Sequence, residues 1–265
     1  MNLLEALTVF IKNEIHDFKY EHKLKLISII AIFVLFPISL LMAIVGFVVG
    51  LISEIREYNK SIYKLITKKS YFDVLFNKGL SAEYFTWKVL DGQPEYKKVL
   101  INLYIPKENN ETAEIDAIMI NKFGIFVFES KGYTGWIFGD ENSKNWMEII
   151  YGHKYKFYNP VMQNRNHIKA LANIIGIEDM SIFRSYIVFS QKCDFKKIIV
   201  TKPNLKVVKQ SELASTLNKE YMEKDKILTY EQIKEFDSKL SKYMFAEDEV
   251  KERHNKIIKE KYKSI

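Results

Sequence analysis

The strongest constraint on this chain is a run of 27 residues, Leu26 to Ile52, without one charged side chain. A membrane-crossing helix needs about 20 such residues. At about 1.5 Å per residue the run reaches about 40 Å as a helix, longer than the roughly 30 Å hydrocarbon layer. One tilted or kinked span fits, with Pro37 near the middle as the place for a kink. Two full spans need about 40 residues and do not fit. The alternatives are a re-entrant hairpin around Pro37, Ile38 and Ser39, or a buried core helix, although core helices seldom run so long without a polar residue on one face. A cleaved signal peptide is disfavoured, because the flank before the run holds Glu5, Glu14, Asp17 and Glu21. The reading is a transmembrane helix over 26–52 and a single-pass protein of the cell membrane, with the lipid bilayer as one partner.

The flanks extend this reading. Leu3, Leu4, Leu7, Phe10, Ile11, Ile15 and Phe18 fall at helical spacing, so residues 1–25 are expected to form an amphipathic N-terminal helix. Ile55, Tyr58, Ile62 and Leu65 continue a helical stripe, which makes 53–70 a helical stalk. Lys and Arg within 20 residues of the run number four before it and five after it. The positive-inside rule barely separates four from five. The single cysteine, Cys193, excludes an internal disulfide and is expected to be inert. The formal net charge of +7 suits an anionic partner such as nucleic acid or a membrane surface.

Beyond the stalk the pattern becomes that of a soluble domain over 71–220, with C-terminal helices and a charged tail over 221–265. Residues 71 to 90 read as one helix. Strands are expected at 97–104, 113–120 and 124–131, followed by short aromatic strands within 133–158. Asn159-Pro160 opens a helix to about Ile175. Further strands at 184–190 and 205–209 precede helices near 211–220 and 229–244. The tail from Asp248 alternates in charge and reads as a solvated helix. Three strands, a crossover helix and another strand make an α/β fold with a mixed central sheet flanked by helices.

One constellation carries chemistry. If Lys122-Phe123 is a two-residue hairpin loop, Asn121 faces Gly124 and Asp116 faces Glu129 across the two strands. Opposed residues share a face with Cβ atoms about 5 Å apart, and like charges there repel unless a cation lies between them. Mg²⁺ takes carboxylate oxygens and keeps several waters, and the backbone carbonyl of Ser130 adds a further oxygen. Lys131, two residues after Glu129, points to the same face. An ammonium there can orient water or stabilise charge on an attacked phosphate. The run IFVF at 125–128 reads as a strand buried on both faces, and charged residues at its end need a reason. Set against this, an isolated Glu-x-Lys is common, and alternating charge is often just an exposed strand face. Trp136 and Trp146 read as core aromatics, with base stacking as the alternative.

These residues resemble a known family. Gly79-Leu80-Ser81-Ala82-Glu83, Glu114-Ile115-Asp116, Gly124 to Lys131, Gly135-Trp136-Ile137, Trp146 and Asn159-Pro160-Val161-Met162-Gln163 look like the nuclease-related domain (NERD). That family is a branch of the restriction-endonuclease-like PD-(D/E)xK superfamily. Two departures are Ala82, where the family usually has Gly, and Ser130, where it has Val or Ile. The resemblance implies Asp116, Glu129, Lys131, Glu83 and Gln163 as catalytic residues. It implies Asp116, Glu129, Glu83 and the Ser130 carbonyl around Mg²⁺ or Mn²⁺, and DNA as substrate. The expected function is therefore a membrane-anchored, metal-dependent endodeoxyribonuclease, with its nuclease domain in the cytoplasm. Defence against, or processing of, DNA at the membrane would suit that place, with a homo-oligomer or another membrane or defence protein as further partner. The rival reading is a non-catalytic module that binds nucleic acid or protein on the same fold.

Overall fold

The computed structural model describes residues 3–107 and 111–263. The chain divides into two compact units, Met1–Tyr58 and Asn59–Ile265.

The first unit is helical. Helix α1 (Leu3–Ile30) passes into a five-residue π-helical segment, Ala31–Leu35, and then into α2 (Phe36–Lys60). The expected boundaries at 25 and 52 are therefore not element boundaries. The interruption also lies just before Pro37 rather than at it. Proline lacks an N–H and its ring crowds the carbonyl four residues back, so widening the preceding turn to π geometry relieves the clash. Among the described helices, α2 is long and apolar enough to cross a membrane, and its large side chains, Phe36, Met42 and Phe47 among them, are exposed.

In the second unit the expected stalk and first helix are broken into α3 (Ile62–Thr67), α4 (Tyr71–Phe76) and α5 (Lys78–Asp91). The break at Asn77 follows from its extended backbone. Its side chain turns instead to the N–H groups of Gly79 and Leu80, starting a new helix rather than continuing the old one. Strands β1 (Lys97–Pro106), β2 (Thr112–Asn121) and β3 (Gly124–Lys131) then form an antiparallel meander. The β2–β3 turn has the expected register, Asn121↔Gly124 and Ile120↔Ile125. The Asn121 side chain accepts from the Phe123 N–H at 2.9 Å. Gly124 has φ +129°, and a Cβ there would stand 2.4 Å from the Ile182 carbonyl.

The central sheet has five strands in the order β1-β2-β3-β7-β9, where β7 (Phe183–Phe189) and β9 (Leu205–Lys209) run parallel to β3. Helix α6 (Pro160–Ile175), begun by the Asn159 cap and Pro160, is the crossover. A second sheet was not expected. It joins β4 (Trp136–Asp140), β5 (Asn145–Ile150) and β6 (His153–Tyr158) to β8 (Asp194–Ile199), which pairs parallel with β4. Trp146 is a core aromatic as read: it is buried and stacks on Phe189 of the central sheet, centroids 6.0 Å apart, joining the two sheets. Trp136 departs from its expected core role: it is exposed, with Lys196 over its ring at 4.8 Å.

Helices α7 (Gln210–Glu223), α8 (Tyr230–Leu240) and α9 (Asp248–Lys263) complete the fold. The tail helix α9 is not wholly solvated. His254 is buried, with its ring edge-on to Tyr104 and its Nδ1 2.9 Å from the Thr112 hydroxyl.

Candidate active site

Side chains on β3 alternate between two environments. Phe126 meets Tyr221 of α7, and the Ser130 hydroxyl donates to Thr86 of α5 at 3.0 Å. Glu129 and Lys131 turn the other way, toward α6. The burial that makes Ile125 to Phe128 a central strand therefore delivers two ionic side chains to one face at the strand's end.

Asp116 sits opposite, where both ladders fail together. The β2–β3 ladder stops at Ala117↔Phe128, one rung short of Asp116↔Glu129. The β1–β2 register passes from Ile101↔Ala117 to Leu103↔Ile115, omitting Asn102 and Asp116. Asn102 holds φ +53°, a left-handed conformation that interrupts the strand there. The Asp116 carboxylate replaces the missing rung, its Oδ2 accepting the Ser130 N–H at 2.6 Å.

The cluster is tight around Lys131. Its Nζ lies 2.7 Å from Glu129 Oε1 and donates to Gln163 Oε1 at 3.1 Å. Gln163 is thus placed by α6 directly on the lysine. Burial favours the uncharged amine, yet Glu129 and Asp116 outweigh it and hold the Lys131 pKa above its usual value. The carboxyls shift upward. Burial first, then Glu129 and Glu83, raises Asp116 well above the ordinary carboxylate range. Burial also raises Glu129, against the pull of Lys131. Glu83 is pushed up to about 8 by burial and by Glu114 and Glu129. Three carboxyls against one ammonium leave the site short of positive charge.

Two neighbours were not foreseen. His167, one turn after Gln163, is buried with its Nδ1 3.4 Å from Glu129 Oε2, and neither atom has a hydrogen-bond partner. Burial, then Lys107 and Lys131, lowers its pKa to about 3, so it is neutral and the contact is not an ion pair. The i, i+4 spacing from Gln163 was the available signal. Glu114 accepts from the Tyr104 hydroxyl at 2.6 Å and has His254 Nε2 3.3 Å from its other oxygen. Cys193 is buried and its thiol is pushed up to about 11, mainly by burial, in keeping with an inert cysteine.

Glu129 Oε2 is the orphan acceptor a cation would use. However, among the described residues no group of three or more His, Cys, Asp or Glu side chains is assembled to hold an ion. The set fits a hard cation held by one or two carboxylates, with water or substrate oxygens completing its shell. It does not fit a closed protein cage.

Residues 78–190 match the family model of the nuclease-related domain. An uncharacterised protein of Bacillus anthracis is 29% identical over 186 residues, covering 70% of this chain and 85% of that protein. No solved structure matches. The matched segment begins at the helix carrying Glu83 and runs past Asp116, Glu129, Lys131 and Gln163, and the chain therefore carries a nuclease-related domain of the PD-(D/E)xK-like nuclease group.

Proposed function

We propose that this protein is a membrane-anchored phosphodiesterase that cuts DNA with the help of Mg²⁺ or Mn²⁺. The observation that carries the reading is the Lys131 ammonium, held between Glu129 and Gln163 beside a gap in the ladders where Asp116 stands. Asp116 and Glu129 would hold the cation, with Glu83 reaching it through a bound water. The Ser130 carbonyl leaves the extended strand on the same side as its N–H, toward Asp116, and would add a neutral oxygen. When bound, the cation supplies Lewis acidity at the scissile phosphate and the attacking water.

The chain's own groups have separate tasks. Lys131 stays protonated, so it acts as a donor and a positive charge toward phosphate, not as a base. Gln163 fixes the direction of that ammonium, and its amide N–H₂ remains to bind a phosphate oxygen or water. Neutral His167 backs Glu129 without competing for the cation's charge.

Anchoring would be through α2, with the nuclease domain in the cytoplasm, where DNA is found. Residues 70–265 hold 31 Lys and Arg against 27 Asp and Glu, too little excess for tight binding by charge alone. Tethering would raise the local concentration of domain and DNA. Defence against incoming DNA would be consistent with such a place.

The test uses the full chain in detergent, with circular single-stranded and duplex DNA in Mn²⁺, Mg²⁺ or EDTA. Cutting of circles that needs the metal and falls at least about a hundredfold in Lys131→Ala is expected. Equal cutting by the two proteins overturns the mechanism. That no three-ligand group is assembled among the described residues favours one rival, a non-catalytic nucleic-acid- or protein-binding module. Failure of the wild type to cut any DNA or RNA would establish it.

A further inference from the structure

A cavity of about 700 Å³ opens beside the candidate active site, between α4, α5 and the segment after β7. Its floor includes Ala82, which precedes Glu83, and Gly132, which follows Lys131. Its wall carries Phe76, Phe85, Lys78, Lys88 and Lys192, and none of its lining residues is acidic. Soluble surfaces rarely leave phenylalanines bare, yet Phe76 is 80% exposed and Phe72 beside it 48%. The two rings are nearly parallel, 15° apart with centroids 6.3 Å from each other. Flat apolar faces beside lysines, in a groove with no acidic lining residue, suit a ligand with both flat rings and negative charge.

We propose that this groove binds single-stranded DNA, its bases against Phe76 and Phe85 and its phosphates toward Lys78, Lys88 and Lys192. The proposal rests on the nuclease reading and names the form of its substrate. A single strand presents base faces to such rings, and stacking of this kind tolerates any sequence. An intact duplex keeps its bases stacked within the helix and offers only phosphates, so it cannot use the phenylalanines. The groove's place decides its use. Its lining residues Ala82 and Gly132 adjoin Glu83 and Lys131 in the chain, so a strand leaving the groove round the end of β3 starts one residue from the cluster. The Ser190 N–H, donating to the Lys131 carbonyl at 2.8 Å, ties the groove's other wall to the same strand end.

The experiment measures binding apart from cleavage. The full chain in detergent is titrated, in EDTA, into fluorescein-labelled oligothymidine or a labelled hairpin duplex, and anisotropy is read at two salt concentrations. Oligothymidine should bind at least about tenfold more tightly than the duplex. Phe76→Ala should weaken the single strand by about tenfold and leave the duplex unchanged. Lys192→Glu should weaken it at low salt and reduce the salt dependence, while Lys226→Glu, the same charge change at an exposed residue outside the groove, should do neither. Equal affinity for the two DNA forms, or full affinity in Phe76→Ala, overturns the proposal and leaves the exposed phenylalanines to a lipid or protein surface. A wild type that binds single strands this way but never cuts sinks the nuclease reading alone. One that cuts circles without strand preference sinks the groove alone.

Discussion

Replacing Glu83 by glutamine should stabilise the metal-free protein, and only above a definite pH. Glu83 moves from its ordinary 4.5 to about 8 in the folded chain, first through burial and then through repulsion by Glu114 and Glu129. A carboxyl whose folded pKa lies above its unfolded one is harmless below pH 4.5, where both states hold the proton. Folding then weakens as pH rises toward 8, because the unfolded chain ionises freely and the folded chain does not. At about 1.4 kcal/mol per tenfold change in protonation, that window sets a ceiling near 5 kcal/mol. Glu83 is only half-buried, and its repulsion is shared with neighbours that also respond, so roughly 2 kcal/mol is the realistic figure. For a chain of this size that is about 4–8 °C in Tm. Glutamine keeps the shape while removing the charge.

The assay is thermal unfolding of the full chain in detergent and EDTA, followed by circular dichroism from pH 4.5 to 8.5. Wild type should lose stability steadily across the window, Glu83→Gln should lose much less, and the two should coincide at the acid end. Added Mn²⁺ should restore the wild type most at pH 8. A wild-type Tm that is flat or rises over this range, or a variant no more stable at pH 8, would refute the account of crowded carboxyls short of a counter-charge.

Three more outcomes follow from the geometry. Calorimetry should find Mn²⁺ affinity largely kept in Lys131→Ala, which removes no ligand, and lost in Asp116→Ala. Gly132→Ala places a Cβ 2.2 Å from the Lys78 carbonyl, so it should cost about 1–3 kcal/mol in denaturant titration and reduce cleavage by displacing the neighbouring Lys131. Asn102→Gly should be tolerated at φ +53°, whereas Asn102→Val should cost about 1–3 kcal/mol by chemical unfolding and lower cleavage more than Mn²⁺ binding.

How much was legible in the sequence depended on how local the determinant is. The β2–β3 register needed only the turn at Lys122-Phe123 and the period-2 rule, which give the pairs from Asn121↔Gly124 to Ala117↔Phe128; the next expected pair, Asp116↔Glu129, does not form because the ladder ends there. The strand β8 was missed because residues 194–199 are mostly exposed and their partner, β4, is more than 50 residues away, so no short-range period marks them. The kink at Asn102 leaves no trace in an apolar strand, since one asparagine reads as tolerated polarity. No histidine or cysteine at metal-ligand spacing marks His167 in the sequence, a test suited to zinc sites. Its actual neighbour is a carboxylate on another element. The π segment lies inside a uniformly apolar run, where nothing in the pattern tells a four-residue from a five-residue hydrogen bond.

The distortion at Asp116 and the chemistry proposed for it are one arrangement. A full ladder would hold Asp116 and Glu129 as an ordinary cross-strand pair, with every backbone group between them bonded and no room for a third body. Losing one rung on each side of Asp116 forfeits backbone hydrogen bonds worth about 1 kcal/mol each. Asn102 adds the strain of a left-handed residue, and part of the loss returns through the short bond from Ser130 N–H to Asp116. The deficit is confined on the β1 side, where Ile101↔Ala117 and Leu103↔Ile115 flank it, while on the β3 side the ladder ends at Ala117↔Phe128. A gap one residue wide in the β1–β2 ladder thus meets the end of the β2–β3 ladder at Asp116, beside carboxylates and one ammonium. Such a gap costs stability when empty, and under the proposed function a bound cation and phosphate would relieve it, so that binding and the repair of the fold would be coupled in the same residues.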